Sequence, residues 1–321
     1  VSHDFRPLPL LGNAHLQTVL GTVWKGRPFL LPSAQRLVEL PDGDRLQYFD
    51  TVSPDWRPGR PVAVLIHGLG GSHHSGFAQR VAGLLAPYGV RIVRPDLRGN
   101  CESIPLARSF YTAGSSDDVR AVVEAVAELC PGSPVDVVGL SLSGNIVLKL
   151  AAEAAVRPLP ALRRVVSLAP PIDLARSAAM MGHPRNRFYD RHFSRELLAE
   201  ARLRFAHHGD PPLPDFPKRL SIRVYDDLYT APRHGYADAL DYYRRAAAEP
   251  LVPEIRVPTL ILTARDDPFI AVEPIEALRG RLAHVEVRVL DRGGHMGFLG
   301  WDGAGGIRWA ERQVANWLLS A

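Results

Sequence analysis

Gly139-Leu140-Ser141-Leu142-Ser143-Gly144 stands between an apolar run, Val135-Asp136-Val137-Val138, and the apolar-periodic stretch Asn145 to Ala155. A strand that turns sharply through a central serine into a helix lifts the hydroxyl clear of the sheet. The unpaired N–H groups at the helix start then point at any negative charge that develops there. That arrangement suits acyl transfer. Serine is a weak nucleophile alone and needs a base for its proton and a third group to orient the base. The base candidate is His295, in Asp291-Arg292-Gly293-Gly294-His295-Met296-Gly297-Phe298, because glycines on both sides let the backbone bend an imidazole over a sheet. The acid candidate lies in Ala264-Arg265-Asp266-Asp267-Pro268-Phe269. Both aspartates follow the same apolar run; Asp267 is favoured for the imidazole, and Asp266 for the loop-capping role Asp takes in turns.

An oxyanion needs two preorganised N–H donors. The Leu142 amide follows the nucleophile directly. The second donor is assigned to Leu69, in His67-Gly68-Leu69-Gly70-Gly71-Ser72. A glycine-rich loop can also cradle phosphate, but this one lacks the Gly-Lys-Ser/Thr ending and the dinucleotide spacing. His67, Met180, Phe188, Tyr229 and Met296 are expected to line the substrate pocket. The adjacent pairs His73-His74 and His207-His208 read as loop histidines, so no metal is expected.

These groups need a frame that brings distant loops to one edge. Val62 to Ile66, Val90 to Val93, Val135 to Val138, Val165 to Leu168, Thr259 to Thr263 and Val285 to Leu290 read as buried strands. Helical spacing runs through Phe77 to Ala86, Asp117 to Leu129 and Trp309 to Leu319. Gln35 to Leu40 and Arg45 to Thr51, split by Pro41-Asp42-Gly43-Asp44, read as a hairpin. Strands alternating with helices predict an α/β fold with a mostly parallel sheet. Residues 1–321 are read as a single domain. Within it, residues 1–33 form a Pro- and Leu-rich extension packed on the core, and 173–253 a helical cap inserted over the carboxyl ends of the strands.

A net charge of +4 with scattered Arg and no basic block argues against nucleic-acid binding. No uninterrupted apolar stretch is long enough for a membrane span. The start Val1-Ser2-His3-Asp4 does not read as a signal peptide, and the two cysteines, Cys101 and Cys130, suggest no disulfide framework; a cytoplasmic location is expected.

The chain resembles the YheT-like α/β-hydrolases of bacteria, which are related to eukaryotic α/β-hydrolase-domain lipases. The matching stretches include Gly12-Asn13-Ala14-His15-Leu16-Gln17-Thr18, the His67 to Ser72 loop, Asp96 to Asn100, Tyr111 to Asp118 and the elbow through Asn145. Tyr225 to Pro232, Tyr242-Tyr243, Asp266 to Phe269 and Gly293 to Phe298 also match. The order Ser, Asp, His is that of α/β-hydrolases. The resemblance implies a triad of Ser141, Asp267 and His295, and cofactor-free hydrolysis of carboxylic esters. The bulky Phe188, Tyr189, Phe193 and Tyr229 of the cap separately predict an enclosed apolar pocket that prefers small-molecule esters of short to medium chain. The alternatives are a lipase or phospholipase acting on lipid esters, and a non-catalytic binding protein on the same fold. Ser143 departs from the family, which usually has Gly there, and is expected to crowd the elbow or narrow the pocket.

Overall fold

In a strand whose residues are apolar on both faces, no side is left for water. Val62–Ile66, Val135–Leu140 and Thr259–Ala264 are such strands, buried at every position. The computed structural model describes residues 5–24, 26, 29–209 and 212–320. Among them the strands are β1 (Ala34–Glu39), β2 (Arg45–Thr51), β3 (Val62–Ile66), β4 (Arg91–Pro95), β5 (Val135–Leu140), β6 (Leu162–Leu168), β7 (Thr259–Ala264) and β8 (Val285–Leu290). They form one sheet in the order β1-β2-β4-β3-β5-β6-β7-β8. The β1–β2 hairpin is antiparallel and β2 runs antiparallel to β4; every pairing from β4 to β8 is parallel. The carboxyl ends of β5, β7 and β8 therefore lie on one edge, and Ser141, Asp267 and His295 follow those three strands.

Two strands extend beyond their apolar runs because partners make buried charge tolerable. β4 runs past Val93 to Arg94, whose buried guanidinium donates to the His73 carbonyl at 2.9 Å. Arg163 lies in β6 with its Nε on Asp136 at 2.8 Å.

Helices cover both faces. On one, α3 (Ser116–Leu129) and α4 (Leu142–Glu153) pack Val119, Val122, Val123, Val126 and Ile146 against Val64, Ile66 and Val137. Full burial of each such side chain contributes about 1.5–3 kcal/mol. On the other, α2 (Gly76–Leu85) and the helix Trp309–Leu319 cover Ala63, Leu65, Val138 and Leu140.

The N-terminal stretch holds a helix that its composition did not announce, α1 (Ala14–Val23). Asn13 caps it, its Oδ1 accepting the N–H groups of His15 and Leu16 at 2.9 and 3.1 Å. Between β6 and β7 the chain runs through α5 (Leu174–Met181), the 22-residue α6 (Arg187–His208) and the helix Ala239–Ala246. His207 and His208 close α6 rather than sitting in a loop.

Candidate active site

β5 ends at Leu140, and Ser141 turns the chain with φ 53° and ψ −116°. A non-glycine residue pays strain there and keeps that shape only when its surroundings impose it. The Ser141 N–H donates to the Leu168 carbonyl at 2.8 Å. A Cβ on Gly139 would lie 2.2 Å from the Ser143 carbonyl oxygen, and one on Gly144 would lie 2.9 Å from the Ser167 hydroxyl. These two glycines let α4 start hard against β5 and β6.

Ser141 Oγ lies 2.9 Å from His295 Nε2, and His295 Nδ1 lies 2.8 Å from Asp267 Oδ2. With the carboxylate accepting from Nδ1–H, Nε2 is left free to take the serine proton. The Asp267 side chain is fully buried, and its Oδ1 accepts the N–H groups of Phe269 at 2.8 Å and Ile270 at 3.2 Å. Asp266 serves the loop instead: its Oδ1 accepts the Gly294 N–H at 2.9 Å. Burial pushes the Asp266 carboxyl above its ordinary value.

The loop after β3 approaches the serine closely, since a Cβ on Gly68 would sit 3.1 Å from Ser141 Cβ. Leu69 and Leu142 both line the cavity beside Ser141. The neighbouring amides are already engaged: Gly70 N–H donates to the Tyr111 hydroxyl and Gly71 N–H to the Gly68 carbonyl, both at 3.1 Å. Ser143 neither crowds the elbow nor lines the cavity. It is fully buried, and its hydroxyl donates to the His67 carbonyl, tying the elbow to this loop. Only the departure from Gly marked this residue in the sequence.

None of the five expected pocket residues lines the cavity. His67 is buried behind the loop; its Nδ1–H donates to the Gly68 carbonyl at 2.8 Å and its Nε2 accepts the Leu97 N–H at 3.1 Å. Burial holds its pKa below the ordinary value, in keeping with a neutral ring. Met180 faces a separate cleft with His15 and Asn186, while Met181 reaches the cavity. Adjacent helical residues project about 100° apart, so one of such a pair turns away. Phe188 is 71% exposed, whereas Phe193, further along the same helix, faces the cavity. Tyr229 is buried against Phe110 with ring centroids 5.1 Å apart, and Met296 packs on the core.

The cavity encloses about 970 Å³, its open mouth included. Leu69, Phe110, Leu142, Met181, Phe193 and Phe269 give it an apolar wall. Glu200, Arg204 and Asp226 also line it. Burial outweighs the attraction of Arg204 and pushes the Glu200 carboxyl up to about 7. Burial likewise raises Asp226 to about 6, although the Tyr243 and Thr230 hydroxyls donate to it at 2.7 Å each. Among the described residues no cluster of His, Cys, Asp and Glu has a metal-binding arrangement, and no helix is long and apolar enough to cross a membrane.

A mostly parallel sheet with serine, aspartate and histidine gathered at one edge defines a class of protein, and the comparisons agree: the chain belongs to the α/β-hydrolase family. The family described as the alpha/beta hydrolase fold matches residues 61–300. Within it the chain is YheT-like. It is 33% identical to YheT of Escherichia coli (strain K12), a candidate esterase by its name, over 99% of this chain and 94% of that one. It is 26% identical to the medium-chain fatty acid ethyl ester synthase/esterase 2 of Saccharomyces cerevisiae, across 80% of this chain and 61% of that protein. The esterase Pf2001 of Pyrococcus furiosus has a similar fold, with a TM-score of 0.57 at 16% identity, covering 90% of this chain and 92% of that one. The chain is thus a hydrolase of esterase and lipase type.

Proposed function

We propose that the protein is a serine carboxylesterase that hydrolyses short- to medium-chain carboxylic esters through an acyl-enzyme. The observation that carries this reading is the unbroken path from Ser141 Oγ through His295 to Asp267, opening on an apolar cavity. Ser141 Oγ attacks the ester carbon while His295 Nε2 takes its proton, and Asp267 stabilises the imidazolium. The amides of Leu69 and Leu142 hold the oxyanion. The imidazolium then gives its proton to the leaving alkoxide. A water molecule, deprotonated by His295, attacks the acyl carbon, and collapse of the second tetrahedral intermediate returns the proton to Ser141 and frees the acid. No cofactor takes part.

Residues 173–253 act as a cap in this reading. Met181, Phe193 and Leu197 from α5 and α6 bring apolar surface over the serine, as in small-ligand sites lined mainly by apolar side chains. That enclosure supports small, soluble esters. The yeast relative's name, with its medium-chain fatty acid esters, points the same way. A second reading, action at a lipid surface, draws on the exposed Leu16, Val19 and Val23 of α1. A chain-length series of p-nitrophenyl esters tests the choice. The expected result is a kcat/KM maximum at short or medium acyl length. A steep rise in rate at the onset of an emulsified phase would favour the lipid-surface reading, and no hydrolysis of any ester would overturn both.

A further inference from the structure

The run Gly12-Asn13-Ala14-His15-Leu16-Gln17-Thr18 takes no part in the chemistry above, yet two of its side chains, Gln17 and Thr18, end on the stretch from His295 to Leu299. Thr18 is buried, 277 residues before His295 in sequence. Its hydroxyl accepts the His295 N–H at 2.9 Å and donates to the Ala14 carbonyl at 2.8 Å. Gln17, fully buried, closes on Leu299 from both sides: its Oε1 accepts the Leu299 N–H at 2.7 Å and its Nε2 donates to the Leu299 carbonyl at 3.2 Å. The same Nε2 donates to the Leu11 carbonyl at 2.7 Å, so the amide also holds the approach to α1.

Backbones meet directly between these two anchors. A Cβ on Gly294 would lie 2.3 Å from the Ala14 carbonyl oxygen, and one on Gly297 would lie 2.4 Å from that of Gln17. From the other side, a Cβ on Gly21 would lie 2.7 Å from Gly297 Cα. The loop itself is strained, with Met296 at φ 59° and Phe298 at φ 40°. Strain of this kind persists only when neighbouring structure over-determines it. His15 adds a third tie. Its Nδ1 lies 3.1 Å from the Tyr189 hydroxyl, Tyr189 meets Phe269 edge-on at 4.6 Å, and Phe269 packs on the His295 ring at 4.7 Å.

We propose that α1 is a brace that sets His295 against Ser141, with Thr18 and Gln17 as positioning residues. The inference rests on the reading of His295 as the base. Thr18 touches neither substrate nor reacting atoms; it acts by fixing the backbone from which the imidazole projects. No residue of α1 lines the cavity, so substrate binding is left to other parts of the chain.

The test is kinetics of Thr18→Val, Thr18→Ser and His295→Gln, with active sites counted from the endpoint of fluorophosphonate labelling. Counting sites removes any loss due to misfolded protein. Thr18→Val should lower kcat per active site about 10- to 100-fold, the scale of a roughly 1 Å misplacement, with KM within about threefold. The labelling rate should fall with kcat. Thr18→Ser keeps the hydroxyl and should stay within about threefold of wild type. If Thr18→Val does not fold, Thr18→Ala is read by the same criteria. A valine variant with wild-type kcat per site overturns the brace, as does a serine variant impaired as much as the valine one. If His295→Gln keeps wild-type activity, the base assignment fails and the brace falls with it; a dead His295→Gln beside a fully active Thr18→Val overturns the brace alone.

Discussion

The Ser141 elbow and the His295 loop place partners of one hydrogen bond, and both do so with strained backbone, yet their support differs. The elbow is local. Ser141 is held by Leu168 of the next strand and by glycines at 139 and 144, with the helix it starts packed alongside. The His295 loop has little regular structure of its own and leans on α1 from the far end of the sequence. A nucleophile can thus be fixed mainly by a strand, a turn and a helix that follow one another in the chain, steadied by the adjoining strand and loop. The base depends on contacts that no window of sequence contains.

The contrast can be broken first at the acid, which belongs to neither region. Asp267→Asn keeps the shape but gives the imidazole the wrong partner, so kcat should fall about 10⁴-fold. Asp266→Asn weakens the tie to the Gly293-Gly294 backbone and should cost far less, mainly in thermal stability. Steady-state kinetics of the two variants side by side decide between them, and a dead Asp266→Asn beside an active Asp267→Asn would reverse the assignment.

Gly294→Ala sharpens the remote half of the comparison. Its φ of 57° and the nearby Ala14 carbonyl leave no room for a methyl group. The loop must shift, and kcat per active site should drop about 100-fold, as expected for a roughly 1 Å displacement. A variant with wild-type kcat would show that the loop does not need its close seat on α1. Ser143→Ala probes the local half. It leaves the His67 carbonyl without its donor at a fully buried site, at a cost of about 1–3 kcal/mol in unfolding free energy. Denaturant unfolding measures this, and kcat should change less than tenfold because strand and helix still hold the elbow.

Glu200 lies in the cavity wall, away from both loops, and gives the smallest effect. Its carboxyl stands at about 7 in the folded chain against an ordinary 4.5. Between those values the folded protein binds a proton that the unfolded chain releases, so this group costs stability as pH rises. Glu200→Gln cannot ionise. The melting temperature of the variant relative to wild type should therefore increase from pH 5 to pH 8, as scanning calorimetry reads it, and a difference independent of pH would contradict the burial argument.

What could be read in advance follows the same division. β3 and β8 run over the expected residues because apolar runs and their ends are local signals. Ser141, Asp267 and His295 were named for the same reason, each standing just after such a run. The polar extensions of β4 and β6 were hidden because His73 and Asp136, the partners of Arg94 and Arg163, lie elsewhere in the chain. The pocket residues were misplaced because composition gives bulk but not direction: Met180 and Met181 differ only in the face of α5 they occupy. Thr18 and Gln17 stood in a matched stretch with no role attached, since their partners are the backbone of a loop at the other end of the sequence.

The central claim is that Ser141 is a nucleophile activated by His295. Labelling with a fluorophosphonate, read by intact mass and peptide mapping, tests it most directly. Wild type should take up one adduct, located on Ser141; Ser141→Ala should take up none, and His295→Gln should react at least about 100-fold more slowly, as loss of a general base predicts. An adduct that forms at the wild-type rate in Ser141→Ala would contradict the account.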